Sequence, residues 1–261
     1  FAGNLFAHLG LGSADVNVGD NVQMQVNHDR RSAIRANHSV THLLHEALRR
    51  VLGEHVSQKG SLQDDKRTRF DISQPVAINA QQIADVESIV NQEIAANTEV
   101  VTRLMALDEA KESGAMALFG EKYDSEVRVV AMGSEQDNGR AFSVELCGGT
   151  HVKRTGDIGL FKILSDASVS AGVRRIEAVT ALGAFNYLSQ QDKMVKNIAA
   201  QVKAKPSEVE NRVQALQADI KKLKQDVKNA QKGGGASAEN SPADLIKNAE
   251  DAAHEKVCLR C

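Results

Sequence analysis

Two short motifs hold the residues with the clearest chemical potential. In the first, H-x-x-x-H, His38 and His42 are four residues apart, and on a helix both imidazoles would face one metal ion. In the second, C-G-G-T-H, two glycines let the backbone turn tightly enough to aim Cys147 and His151 at one point. Each motif alone is ambiguous, because paired histidines are common on helices and Cys147 could be a buried core thiol. Together they are two half-sites and favour a Zn²⁺ centre with imidazole and thiolate ligands.

Two details narrow this hypothesis. No glutamate follows His38, so the pattern is not the H-E-x-x-H signature of zinc metalloproteases. His45 lies one helical turn beyond His42 and is interpreted as a surface histidine or an outer partner of the metal site.

Composition limits the classes of protein that can carry such a site. The 261 residues are 42% hydrophobic, which is enough for a sizeable core and excludes wholesale disorder. The formal net charge of -2 means that nucleic acid could bind only through a local basic patch, and the 3% aromatic content argues against a base-stacking platform. Three cysteines are too few for a disulfide scaffold. No apolar run reaches the roughly 18 residues of a membrane span, and the N-terminus lacks a secretory signal, so we expect a cytoplasmic protein that binds neither membrane nor DNA.

Hydrophobic periodicity predicts a mixture of strands and helices without βαβ alternation, which indicates an α+β fold. Helices are expected from Ser32 to about Leu52, after an Asn79–Gln82 capping box, and around 108–113. Strands are expected within 22–26, 68–78, 98–105, 126–132, 140–146, 158–166 and 172–180.

Beyond about Gly183 the sequence predicts a helical tail. Pro206 interrupts it, and an S-x-x-E capping box at Ser207 and Glu210 would start a second helix. Apolar residues then alternate four and three apart, the seam of a coiled coil or helical hairpin: Val209, Val213, Leu216, Ile220, Leu223 and Val227. A Gly-rich linker follows at 233–238, and the chain is expected to be a fragment of a longer protein, cut at both ends.

Several segments between about Arg31 and Leu188 resemble the editing domain of alanyl-tRNA synthetases. The same metal-binding pairs occur in the free-standing AlaX trans-editing proteins and in the related threonyl-tRNA synthetase editing module. The segments that carry the resemblance are RANHSVTHLLHEALRRVLGEHVSQKGSL, RFDIS, GAMALFGEKYDSEVRVVAMG, FSVELCGGTHV and GVRRIEAVT.

This resemblance implies a threonyl/alanyl-tRNA synthetase second-additional-domain fold followed by a helical coiled-coil tail. The implied division has four parts: a remnant of an upstream β-barrel at 1–31, a zinc-dependent editing domain at 32–185, a helical or coiled-coil segment at 186–232, and a linker with the start of a further domain at 233–261. The ATP-dependent aminoacylation domain of an alanine-tRNA ligase is not expected in this chain.

The implied activity is hydrolysis of the ester in Ser-tRNA(Ala) or Gly-tRNA(Ala) at a zinc site. The resemblance assigns the metal to His38, His42, Cys147 and His151. Four protein ligands describe a closed tetrahedron, whereas catalytic zinc usually keeps an open position. Either one ligand, for which His151 is the candidate, is displaced, or the metal expands its coordination.

The resemblance also suggests substrate contacts. Gln58 and Thr41 are the pocket candidates, although the position of Thr41 between the zinc histidines favours a core or capping role. The tRNA acceptor end would meet basic side chains in two groups, Lys59, Lys66, Arg67 and Arg69, and Lys153, Arg154, Arg174 and Arg175. Arg175 is alternatively expected to pair with Glu177.

Two other interpretations remain open. One is a free-standing AlaX-type deacylase. The other is a structural zinc module whose tail self-associates as a coiled coil. The H-x-x-x-C-x-x-C pattern of His254, Cys258 and Cys261 lacks a fourth ligand and is attributed to the end of the chain.

Overall fold

The computed structural model describes residues 15, 17–116 and 124–233. The α-helices are α1 (His28–Leu52), α2 (Ala80–Ala95), α3 (Leu107–Glu112), α4 (Ala181–Gln201) and α5 (Val209–Gly233). The strands are β1 (Gln58–Gln63), β2 (Thr68–Ser73), β3 (Val101–Ala106), β4 (Glu126–Glu135), β5 (Ala141–Leu146), β6 (Phe161–Ser170) and β7 (Val173–Thr180). Short 3₁₀ turns occur at Thr155–Ile158 and Pro206–Glu208.

The strands form two antiparallel sheets, with the orders β1-β2-β7-β6 and β3-β4-β5. No strand pair in the described sheets is joined in the parallel manner of a doubly wound fold. The expected mixture of helices and sheets is therefore confirmed.

Helix α1 is the central element of the core. Asn27 begins it, because its side-chain oxygen accepts a hydrogen bond from the Arg30 backbone N–H. Its buried face packs with residues of both sheets and of α2 in one hydrophobic cluster, which includes Val40, Leu43, Leu44, Leu48, Phe70, Ile72, Val86, Val130, Phe142 and Ile176. The histidine motif lies on a helix that is fixed on several sides.

Two boundaries differ from the expectations. The segment 22–26, predicted as a strand, has no regular secondary structure, and Val22, Met24 and Val26 are exposed. No strand in the described part of the chain pairs with it, and alternation alone does not make a strand without such a partner. Strand β2 ends at Ser73 rather than near Ile78, since Pro75 has no N–H to donate to a ladder. The Asn79–Gln82 capping box is present as expected.

The C-terminal tail is helical as expected, but its details differ. The chain divides into two compact units between Tyr187 and Leu188, and the second contains α5 and most of α4. Ser207 lies inside the 3₁₀ turn before α5 instead of capping that helix. Ile220, Leu223 and Val227 are more than half exposed, and the coiled coil stays a prediction. His254, Cys258 and Cys261 lie outside the described residues. None of the described helices is both long and apolar enough to cross a membrane.

The expected Arg175–Glu177 pair is wrong. Arg175 forms a bidentate pair with Asp71 on β2, at 2.8 Å for both contacts, and Glu177 pairs with Arg67 at 2.9 Å. The reason is register: Asp71 lies directly opposite Arg175 in the β2–β7 ladder, so the two side chains share one face of the sheet.

The Asp71–Arg175 pair gives a pH-dependent stability. Hydrogen bonds from Arg175 hold the pKa of Asp71 below its usual value. The pair therefore stabilises the fold above the unfolded-state pKa of about 4, and the contribution is lost as pH falls through the lower folded-state pKa. Asp71→Asn should lower the urea midpoint clearly at pH 7 and much less near pH 3. Asp108→Asn, at an exposed position, is the control, and an equal loss at both pH values for Asp71→Asn would contradict the assignment.

Candidate metal centre

Three histidines and one cysteine converge at the end of β5. One ligand atom from each of His38, His42, Cys147 and His151 lies within 4.8 Å of all the others. The Cys147 Sγ atom is 3.4 Å from His38 Nε2 and 3.3 Å from His151 Nε2. The two motifs, more than 100 residues apart in sequence, therefore meet at one point.

The donor set fits Zn²⁺. Zinc–nitrogen and zinc–sulfur bonds of about 2.0 to 2.3 Å in a tetrahedron place ligand atoms about 3.3 to 3.8 Å apart, close to the two sulfur–nitrogen separations seen here. His42 Nε2 is buried and has no hydrogen-bond partner within the described part of the chain. A buried nitrogen in that state is costly unless it binds something, and a metal ion would satisfy it.

His42 is oriented by a carboxylate. Its Nδ1 lies 2.6 Å from Glu145 Oε2, and the other oxygen of Glu145 lies 2.9 Å from His45 Nδ1. All three side chains are less than 10% exposed. His45, expected at the surface or as an outer partner, is thus a buried member of a network next to the metal centre.

His151 is oriented by Ser39. Ser39 lies between His38 and His42 in the sequence of α1 and is fully buried. The Ser39 hydroxyl lies 3.2 Å from His151 Nδ1 and accepts a hydrogen bond from the Val152 backbone N–H at 3.1 Å. The outer nitrogen of the ring is therefore engaged, and Nε2 is turned toward Cys147.

Arg128 stabilises the turn that contains Gly148 and Gly149. Its guanidinium donates to the carbonyl of Cys147 at 3.2 Å and to the carbonyl of Gly149. The Gly149 N–H also donates to the Cys147 sulfur at 3.4 Å. The two glycines are not equivalent: a Cβ at Gly149 would overlap the His38 ring, whereas at Gly148 no atom lies within 4 Å of that position.

Alanine should therefore be tolerated at Gly148 but not at Gly149. Gly149→Ala should displace the His38 ring and weaken zinc binding by about 10-fold or more, comparable to the loss of an outer-shell partner. Gly148→Ala is the matched control and should bind zinc like the parent chain. Competition with a chromogenic chelator measures both affinities, and equal affinities for the two variants would show that the packing of His38 on Gly149 is not needed.

Electrostatics at the centre favour the metal-binding thiolate of Cys147 but the protonated form of His42, from which a bound metal ion would displace a proton. Burial by itself raises the pKa of the Cys147 thiol, but hydrogen bonds from His151 and His38 outweigh it and lower the pKa to about 3. Burial likewise lowers the pKa of His42, and the Glu145 carboxylate outweighs it and raises the pKa to about 10. The thiolate is the form of cysteine that binds metals, so Cys147 is poised for zinc at neutral pH.

The two pocket candidates lie in different environments. Gln58, expected in a loop, is half-buried at the start of β1, and its amide donates to Ser61 Oγ at 3.3 Å. Thr41 is buried, and its hydroxyl donates to the Asn37 carbonyl at 2.9 Å and contacts the Thr68 hydroxyl at 2.8 Å. Thr41 therefore connects α1 to β2 in the core, the role its offset position had favoured.

The basic tRNA candidates fall into three groups. Arg67, Arg154, Arg174 and Arg175 are engaged with Glu177, Asn97, Asp166 and Asp71, respectively. Arg69 is half-buried on β2. Lys59, Lys66 and Lys153 are exposed, and none of them forms an ion pair with another described residue.

Sequence reasoning missed Glu145, Ser39 and Arg128. Each acts through another residue, and single polar residues carry no metal-ligand spacing of their own. The available signal was position in the sequence: Ser39 lies next to His38, and Glu145 lies two residues before Cys147.

Comparison with known proteins gives two findings. The family described as "Threonyl and Alanyl tRNA synthetase second additional domain" matches residues 127–177, which include Cys147 and His151. The chain is also 52% identical over 245 residues to a protein of Mesorhizobium japonicum named "Alanine--tRNA ligase". That similarity covers 91% of this chain and 28% of the relative, so the chain spans less than a third of the relative's length.

Proposed function

We propose that this chain is an aminoacyl-tRNA deacylase that removes serine or glycine from tRNA(Ala), as its similarity to an alanine-tRNA ligase and its match to the threonyl and alanyl tRNA synthetase second additional domain suggest. The observation that carries the proposal is the convergence of His38, His42, Cys147 and His151 on one point. The similarity to an alanine-tRNA ligase over most of the chain supports an editing part of such an enzyme over a free-standing AlaX-type protein.

The four converging side chains would hold Zn²⁺, which when bound supplies Lewis-acid chemistry that polarises an oxygen or anchors an amino group. The protein's own contribution is positioning. Ser39 holds the ring of His151, and Arg128 fixes the turn that carries Cys147. A site whose polar groups are set in advance does not have to reorganise when the ester arrives.

Discrimination of serine from alanine would come from a hydrogen bond to the serine hydroxyl, a contact that glycine does not make. Gln58 is the candidate donor or acceptor, because its half-buried amide forms a hydrogen bond to a neighbouring hydroxyl on its own strand. A site built to bind a hydroxyl rejects an analogue that lacks it strongly, whereas an apolar pocket rejects an added hydroxyl poorly. Serine is thus removed here, and alanine is spared.

The acceptor end of tRNA would bind mainly through exposed lysines. Lys59 lies on the edge strand β1 next to Gln58, and Lys153 lies two residues after His151. They form no ion pair with a carboxylate among the described residues, unlike Arg174, which forms a bidentate pair with Asp166. Contacts of this kind are made to phosphates and weaken as salt rises.

The test is single-turnover deacylation of Ser-tRNA(Ala), Gly-tRNA(Ala) and Ala-tRNA(Ala) by the zinc-loaded chain. We expect release of serine or glycine at a rate that exceeds spontaneous hydrolysis by orders of magnitude, with Ala-tRNA(Ala) spared. Equal rates for all three substrates would contradict the assigned selectivity. Spontaneous rates for all three would contradict the deacylase assignment for this chain.

A further inference from the structure

One buried carboxylate outside the ligand set connects two histidines of α1. We propose that Glu145, held in place by His45, is a positioning residue that orients His42 for metal binding. The inference rests on the proposed metal centre and extends it to two residues outside its ligand set.

Glu145 determines which nitrogen of His42 faces the metal site. A neutral imidazole has one N–H donor and one acceptor nitrogen, and an ionised carboxylate only accepts. With Glu145 Oε2 at 2.6 Å from Nδ1, the proton is placed on Nδ1, and the lone pair is left on Nε2. That Nε2 atom is the buried, unpartnered nitrogen directed into the cluster.

The Glu145 carboxylate is itself held in place by His45. Its other oxygen accepts from His45 Nδ1 at 2.9 Å, so rotation of the Glu145 side chain would break two hydrogen bonds at once. His45 is itself fixed, since it is 2% exposed and its ring packs edge-on against Phe70 at a centroid distance of 5.3 Å. His45 therefore acts on His42 through Glu145.

Glu145 also connects the two half-sites of the metal centre. Glu145 lies on β5, two residues before Cys147, whereas His42 and His45 are three residues apart on α1. The same carboxylate that orients His42 thus ties the histidine-bearing helix to the strand that leads to the thiolate. Outer-shell partners of this kind typically change metal affinity or activity 10- to 100-fold when they are removed.

The experiment measures zinc affinity by competition with a chromogenic chelator for four variants of the full chain. Glu145→Gln should bind zinc about 10- to 100-fold more weakly than the parent. His45→Leu, which removes the second donor, should also bind more weakly. His45→Asn should restore most of the affinity, because an Asn amide can donate from about the position of the histidine Nδ1. Ser143→Ala is the control, since this buried hydroxyl on the same strand has no partner among the described residues.

Cobalt absorption separates positioning from loss of a ligand. Co²⁺ complexes of all four variants should keep the tetrahedral thiolate spectrum, because the ligand set is unchanged. Parent-like zinc affinity in both Glu145→Gln and His45→Leu would overturn the inference, and so would an equal loss in His45→Asn and His45→Leu. If Glu145→Gln does not fold, the comparison between the two His45 variants decides. Failure of the parent chain itself to bind zinc would instead remove the proposed function.

Discussion

Replacing Cys147 by alanine is expected to abolish both tight zinc binding and release of serine from Ser-tRNA(Ala). Cys147 Sγ is in contact with two imidazoles of the cluster and is its single anionic donor. Removal of that donor should weaken zinc binding by more than the 10- to 100-fold that follows loss of an outer-shell partner. Zinc affinity and single-turnover serine release should fall together.

The control is a substitution near the site that removes no proposed ligand. Ser143→Ala should leave zinc affinity and serine release unchanged, because this buried hydroxyl has no partner among the described residues. Circular dichroism should show that Cys147→Ala keeps its secondary structure, because Cys147 is only half-buried at the edge of the core. A folded Cys147→Ala chain that still releases serine at the parent rate would place the reaction at another site.

Removal of zinc is expected to stop deacylation while the editing fold persists. The core centred on α1 is made of apolar side chains, including Val40, Leu44, Phe70 and Ile176, none of which is a proposed ligand. Zinc should still add stability by mass action, about 4 kcal/mol at a free concentration 1,000 times its Kd. Chelation should therefore lower the melting temperature and leave the far-ultraviolet circular dichroism at 25 °C nearly unchanged.

This result separates the deacylase from the structural zinc module with a coiled-coil arm. In small structural zinc domains the metal supplies the folding free energy, and chelation unfolds them. Unfolding of this chain on chelation at 25 °C would favour that alternative. Addition of Mg²⁺ in place of Zn²⁺ is a control for ionic strength and should not restore serine release.

The convergence of the four side chains could be anticipated because the spacing within each motif reports its geometry. An interval of four residues on a helix places His38 and His42 on one face, and the glycine turn explains how Cys147 and His151 face one point. What could not be predicted is the pairing across the fold. The approach of Glu145 to His42 and His45 depends on how β5 packs against α1, and no local pattern encodes that distance.

The same distinction applies to the elements. The capping box at Asn79 and the long helix of the histidine motif follow from local signals and are present. The strand predicted at 22–26 does not form, because a strand requires a partner strand and periodicity does not reveal whether one is available. Arg175 pairs with Asp71 rather than Glu177 for a related reason, since strand register selects the neighbour.

The most direct test of the metal centre as the hydrolytic site is the rate of serine release from Ser-tRNA(Ala), measured while zinc is returned stepwise to the chelated chain. We expect the rate to rise in proportion to bound zinc and to reach its plateau at one ion per chain, with no rise in Cys147→Ala. A rate that does not depend on bound zinc would contradict hydrolysis at this centre.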